Sequence, residues 1–285
     1  MIPHRILFSL AATALVQSLG AAAPIVVKYG PPSHSTPLGT TFVAWDTLVA
    51  KPTGVGVMRP VFDNPTPALD KFEMHISTLL PGKMSHPIHE HPWEEMLFIK
   101  EGTIDATVHG ELQHAGPGSL VFFASHDPHN AINNSTEPAT YYVINFVTDR
   151  VHTVADKPAA EQAVPGMLGS GVFDTDHLPS TPNATGSRVN VVDSPTLTFK
   201  RLSIHTTTLN VGQQTKSDLV DDGNELFIIR SGEVEVMANG IACRLKAGSF
   251  FYAAPNDRRG LRNIGTTPAS YLVIKVVSDQ SPTAG

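Results

Sequence analysis

The chain is short of the residues that define several protein classes. One cysteine, Cys243, stands among 285 residues. A disulfide framework is therefore excluded, and the lone thiol reads as a small core residue rather than a nucleophile. Charged residues make up only 16% and lean acidic, with 20 Lys and Arg against 26 Asp and Glu. The formal net charge of −6 leaves no basic face for nucleic acid or an anionic membrane. Heptad periodicity is absent, so coiled coils and simple helix bundles drop out. Beyond the first two dozen residues, no apolar run is long enough to span a bilayer.

What is present fits many short strands joined by turns. Glycine (22) and proline (23) are abundant, and hydrophobic residues reach 41%, enough for a packed core. The start of the chain reads as an export signal. His4 and Arg5 give a short basic beginning, Ile6 to Leu19 is apolar, and small residues follow. Cleavage is expected after Ala22, which makes the mature protein secreted or periplasmic.

An internal repeat organises the rest. Val43–Asp149 aligns without a gap on Phe173–Asp279, at a fixed offset of 130 residues. Asp46 matches Asp176, Gly56 matches Gly186, and Thr66 matches Thr196. His75 matches His205, Glu95 matches Glu225, Gly118 matches Gly248, and Asn133 matches Asn263. Two copies of one fold are implied. The expected division is a leader at 1–22, a first domain at 23–149, a linker at 150–172, a second domain at 173–279 and a tail at 280–285. Within the first copy, Phe72–Leu80, Met96–Ile99, Thr103–Val108, Ser119–Ala124 and Tyr141–Val147 carry strand patterns bounded by glycine turns. That spacing indicates an all-β sandwich or barrel.

One stretch of the first copy concentrates metal-binding chemistry. His89 and His91 lie two apart, so a strand points both to one face. Glu95 lies four further on, and a second block runs from Pro117-Gly118 to His129 and Asn133. Three imidazoles and one carboxylate form a mixed N/O set. It suits one divalent ion of manganese, iron, nickel, copper or zinc. His86, Trp93 and Asn133 are expected around the site as pocket or supporting residues. Glu94 and His126 are the candidates for proton transfer.

These two blocks resemble the two motifs of the cupin superfamily. The first has a glycine, an H-x-H pair, a glutamate, and a glycine seven residues later at Gly102. The second has Pro-Gly, a histidine eleven residues after Gly118, and an asparagine four further. The resemblance covers both repeats and implies an all-β bicupin, with two tandem double-stranded β-helix (jelly-roll) barrels. It implies metal ligation by His89, His91, Glu95 and His129. It also implies catalysis of the dioxygenase, decarboxylase or isomerase/lyase type on a small oxygenated molecule. The other class left open is a non-enzymatic carbohydrate-binding, small-ligand-binding or storage-like bicupin with a structural metal.

The second copy departs from the pattern. Leu219, Asp221, Glu225 and Arg259 occupy the four ligand positions. Leucine cannot ligate, and a permanently charged guanidinium repels a cation, so no metal is expected there. Glu225 and Arg259, with Asp221, are expected to pair where the ion would sit. The second copy is then either a structural remnant or a pocket in which Arg259 holds an anion. A small-molecule partner is expected and no nucleic acid or membrane. A bicupin pairs its domains internally, so a monomer is compatible with this plan.

Overall fold

Alternating side chains and glycine turns produce strands nearly everywhere in the computed structural model, which describes residues 23–154, 165–216 and 218–283. The expected leader and part of the expected linker lie outside the described residues. Among those described, helix is confined to short 3₁₀ turns such as Trp45–Thr47 and Asp149–His152.

Each half is a two-layer jelly roll. In the first, a seven-stranded sheet runs Gly171–Asp174, Ser119–Phe123, Glu94–Glu101, Ala139–Val147, Leu69–Leu79, Gly56–Thr66, Lys51–Pro52. A three-stranded sheet of Ala131–Ile132, Ile104–Val108 and Glu111–Ala115 faces it. The second half repeats this plan. Its long sheet runs Thr181–Asn183, Gly186–Ser194, Arg201–Leu209, Ala269–Val277, Asn224–Ser231, Phe250–Ala253, Thr41–Val43. Its short sheet holds Ile241–Lys246, Glu233–Ala238 and Arg259–Asn263. All pairings inside these sheets are antiparallel, and the layers face one another without closing into barrels.

Two edge strands are exchanged between the halves. Thr41–Val43 pairs with Phe250–Ala253 of the second half. Its counterpart, Gly171–Asp174, pairs with Ser119–Phe123 of the first. The chain near residue 172 is thus an edge strand of the first sheet, not linker. The exchange covers an edge in each sheet that would otherwise expose unpaired backbone.

Strand alternation divides the interior into three cores. On Glu94–Glu101, Leu97 and Ile99 point between the two layers of the first half. Met96 and Phe98 point the other way, into a core shared with the second half. The strand is buried on both faces, which is why it reads as a continuous apolar run. Phe72, Phe146, Tyr252 and Phe250 meet in the shared core, and the second half has its own interlayer core around Phe227 and Phe251. Cys243 sits partly buried at the edge of that last core.

Paired polar contacts join the halves with approximate two-fold symmetry. Thr196 donates to Glu94 Oε2 (2.6 Å), and Thr66 donates to Asn224 Oδ1 (2.9 Å). Thr148 donates to the Thr198 carbonyl (2.8 Å), and Ser278 to the Ala68 carbonyl (2.6 Å). Each pair repeats the other at the 130-residue offset.

Candidate metal centre

The short strand His89–Glu90 and the backbone at His129 build the centre between them. His89 N–H donates to the His129 carbonyl (3.1 Å), and His129 N–H to the His89 carbonyl (2.8 Å). This two-bond bridge sets the two imidazoles side by side. His91 lies on the same face two residues along, and Glu95 enters from the start of Glu94–Glu101. Ligand nitrogens of His89, His91 and His129 all lie within 4.8 Å of one another. The Glu95 carboxylate stands 3.7 Å from the Nε2 atoms of both His91 and His129. These separations are too long for hydrogen bonds and suit atoms that share an ion.

The donor atoms fit a metal on independent grounds. The Nε2 atoms of His89, His91 and His129 are buried, and none has a hydrogen-bond partner among the described residues. Three such atoms beside one another would be costly without a common ligand. His91 Nδ1 donates to the Trp93 carbonyl (2.8 Å), and His129 Nδ1 donates to the Asp127 carbonyl (2.7 Å). A carbonyl can only accept, so Nδ1 carries a proton in both rings, and Nε2 is the nitrogen that offers the lone pair in the neutral tautomer. Each imidazole is also held by a stacked ring. His86 lies on His89 at 3.8 Å, Trp93 on His91 at 4.0 Å and Phe123 on His129 at 4.3 Å.

Electrostatics favour the binding-competent forms. Burial, reinforced by the neighbouring histidines, pushes the His89 imidazole down to about 3. Burial likewise pushes His129 down to about 4, against the pull of Glu95. Burial alone would raise the Glu95 carboxyl, but contact with His91 and the nearby His129 outweigh it and hold it below the usual carboxylate range. Neutral imidazoles and an ionised carboxylate are the forms that ligate.

The centre opens on a cavity of about 290 Å³. His86, His89, Glu95 and His129 lie on its lining, with Val57, Met58, Leu97, Phe123, Tyr141 and Val143 supplying apolar walls. Among the described residues, no lysine or arginine lines it.

Three expected site residues are corrected by their placement. Glu94 follows strand alternation and points away from Glu95, into the interface between halves. It is fully buried, and Thr196 Oγ1, Thr198 Oγ1 and the Thr198 N–H donate to it. Burial pushes its carboxyl up to about 7. It ties the halves together and does not reach the cavity. His126 is also fully buried, off the cavity lining, with Nδ1 3.9 Å from the Glu90 carboxylate. Its backbone takes a left-handed turn (φ 59°), which carries the side chain away from the lining. Asn133 is a fold residue. Its side chain donates to the Leu79 and Glu137 carbonyls (2.9 and 2.8 Å) and accepts from Ser135. Trp93 keeps the supporting place expected of it, off the cavity lining and stacked behind His91.

One residue escaped the sequence reading. His75, on Leu69–Leu79, lines the cavity and is hydrogen-bonded through Nδ1 to Glu73 (2.7 Å). Burial would lower it, but Glu73, and the more distant Glu95, raise it above the ordinary imidazole value. Glu73 in turn accepts from Asn145 (2.7 Å), which accepts from the Trp93 indole (3.2 Å). A hydrogen-bonded chain therefore runs from the ring behind His91 to a histidine on the cavity wall. The signal was the His75/His205 pair, one of the positions the two copies share.

The second half keeps the backbone of this centre and changes its side chains. Leu219 and Arg259 form the same two-bond bridge, at 3.0 Å each way. The Arg259 guanidinium contacts the Glu225 carboxylate and lies 3.8 Å from Asp221. Leu219 is exposed.

A two-layer jelly roll repeated twice, with a histidine and carboxylate cluster in one copy, defines a tandem jelly-roll protein with one metal-type centre. The cupin-domain model matches residues 75–145 and again 205–275. The chain belongs to the cupin family and is a bicupin. No curated protein sequence matches it. Among solved structures it is similar to a protein from Pseudomonas aeruginosa described as glyoxylate-induced, with TM-score 0.68 and 15% identity, covering 91% of this chain and 98% of that one. A variant of oxalate decarboxylase OxdC from Bacillus subtilis gives TM-score 0.63 and 16% identity over 85% of this chain and 78% of that one. AerE from Microcystis aeruginosa gives 0.61 and 12% over 83% and 99%. At these identities the likeness concerns the fold.

Proposed function

We propose that the first half binds one divalent metal ion through His89, His91, Glu95 and His129, and acts there on a small, neutral, oxygen-bearing organic molecule. The observation that carries this reading is the trio of buried Nε2 atoms, each without a partner among the described residues, gathered at the end of one cavity. When bound, such an ion supplies Lewis acidity at a substrate oxygen and, if redox-active, electron exchange with dioxygen.

The protein's own residues set the rest. The cavity of about 290 Å³ takes a molecule of phenol or sugar size, and its valine, leucine and phenylalanine walls favour an apolar body. With no guanidinium or ammonium among the described lining residues, the proposed ion, half neutralised by Glu95, would be the one counter-charge for an anion, and the second carboxylate of a diacid would have none. That argues for phenols, enols and hydroxyketones over dicarboxylates, and separates this cavity from what the name oxalate decarboxylase says of its bearer. His75 is the group placed to take and return a proton, with Glu73 orienting its ring. The apolar leader at 1–22 sends this activity outside the cytoplasm.

The test is turnover by protein reconstituted separately with manganese, iron, nickel, copper and zinc. The substrates are a panel of phenols, enols, hydroxyketones, polyols and oxalate. Turnover of a neutral member that is lost in His129→Ala, with the fold retained, supports the reading. Turnover of oxalate alone contradicts the neutral-substrate assignment. No turnover with any metal leaves a binding protein and overturns the enzymatic reading.

A further inference from the structure

The second half holds a cavity of about 510 Å³ at the place where the first half gathers its histidines. Its lining differs in charge. Arg188, Arg201, Arg259 and Lys275 face only Asp221 and Glu225. Position by position, the changes run one way. Met58 becomes Arg188, Glu73 becomes Ser203, His129 becomes Arg259 and Asn145 becomes Lys275. His91 to Asp221 runs against the trend, and Asp221 is taken up by Lys275.

The cations are not equally engaged. Arg201 forms a two-point pair with Asp193, Lys275 contacts Asp221 and Asp222, and Arg259 contacts Glu225. Arg188 has no carboxylate partner among the described residues. Its Nε donates to Asn190 (2.8 Å), which fixes the plane of the guanidinium and leaves the terminal nitrogens for a ligand. Arg188 pairs in register with Thr207, and His205 stands two residues before Thr207 on the same face. The Nδ1 atom of His205 is buried with no hydrogen-bond partner. Burial, and then the charge of Arg188, push this imidazole down to about 3, so it stands neutral beside the arginine. The floor is apolar and aromatic, built from Phe227, Leu261, Tyr271 and Val273.

We propose that the second half binds a small organic carboxylate, gripped by Arg188 with His205 and Thr207 beside it, its carbon body resting on Phe227, Tyr271 and Val273. A planar guanidinium with two free amino groups matches a carboxylate in two-point fashion. The apolar floor selects an organic anion over an inorganic one. The two halves then divide their work, the first taking a neutral molecule at a metal and the second an anion at an arginine.

Calorimetric titration of the full chain tests this with acetate, malonate, succinate and glucuronate, set against glucose and inorganic phosphate. The expected result is one saturable carboxylate site per chain, weakened about tenfold or more in Arg188→Met. Methionine is the residue the first half carries at this position, so the variant suits the fold. Glucose and phosphate bind more weakly, and the carboxylate still binds after chelator treatment. Four results overturn the proposal: no carboxylate binding at millimolar concentration, equal affinity in Arg188→Met, phosphate binding as tightly as the carboxylates, or loss of binding with the chelator. The last would assign the carboxylate to the metal centre of the first half.

Discussion

The two halves of this chain share strand order, register and even the backbone bridge at the heart of the site, yet carry opposite chemistry there. His89 and His129 in one half, and Leu219 and Arg259 in the other, are joined by the same pair of backbone hydrogen bonds. The first places three imidazoles beside a carboxylate. The second places a guanidinium against the equivalent carboxylate. The chain thus contains its own control: what both halves keep belongs to the fold, and what differs belongs to function. Asn133 and Asn263 illustrate the first kind. Each donates from its side chain to two carbonyls, Leu79 and Glu137 in one half, Leu209 and Thr267 in the other. Gly102 and Gly232 are another such pair. Both have φ above 70° or close to it, and a Cβ at either would meet Pro138 or Ala269 within 3.0 Å.

The comparison can be broken most sharply by erasing the difference. Leu219→His, Asp221→His and Arg259→His together, with Glu225 retained, rebuild the first site on the second backbone. Elemental analysis is expected to rise from one metal equivalent to two. A folded triple variant that still holds one would show that the bridge and ligand types are not sufficient. The next largest effect is kinetic. His75→Gln is expected to lower kcat by about 10²–10⁴-fold while metal content is unchanged. A loss of metal in that variant would make His75 a structural support instead.

Stability sharpens the other side of the comparison. Asn133→Ala and Asn263→Ala each remove the side-chain donor from one buried and one partly buried carbonyl and are expected to cost a similar amount, about 1–3 kcal/mol in denaturant titrations. Unequal losses would separate the two turns. Glu94→Gln, at the interface, is expected to cost about 1 kcal/mol and leave the metal in place. The smallest effect is spectroscopic. His89 and His129 in metal-free protein have depressed values, near 3 and near 4. Their ring proton signals should stay flat from pH 8 to about pH 5, where a free imidazole would already have titrated. Titration near pH 6.5 would contradict the buried, mutually repelling cluster.

Much of the centre was legible because its geometry is local. A strand period of two makes His89 and His91 share a face, and the spacing to Glu95 and His129 marks the family. The same period should have removed Glu94, which adjoins Glu95 and must point the opposite way. Asn133 could have been recognised as structural, because its partner Asn263 persists in the half that lacks the three ligand histidines. His75 was harder to see. Its role depends on Glu73 and on register with Ala139–Val147, across some seventy residues of chain. The exchange of Thr41–Val43 and Gly171–Asp174 was not legible either. Three or four paired residues carry no pattern of their own, and their placement is decided by which sheet edge the packed halves present.

The central claim is a difference between halves, and metal stoichiometry reads it directly. Purified chain, stripped and then reloaded, should hold one divalent ion per molecule, retained in Arg259→Ala and absent in His129→Ala. An ion content of zero after reloading, or one lost with Arg259 and kept without His129, would contradict the account.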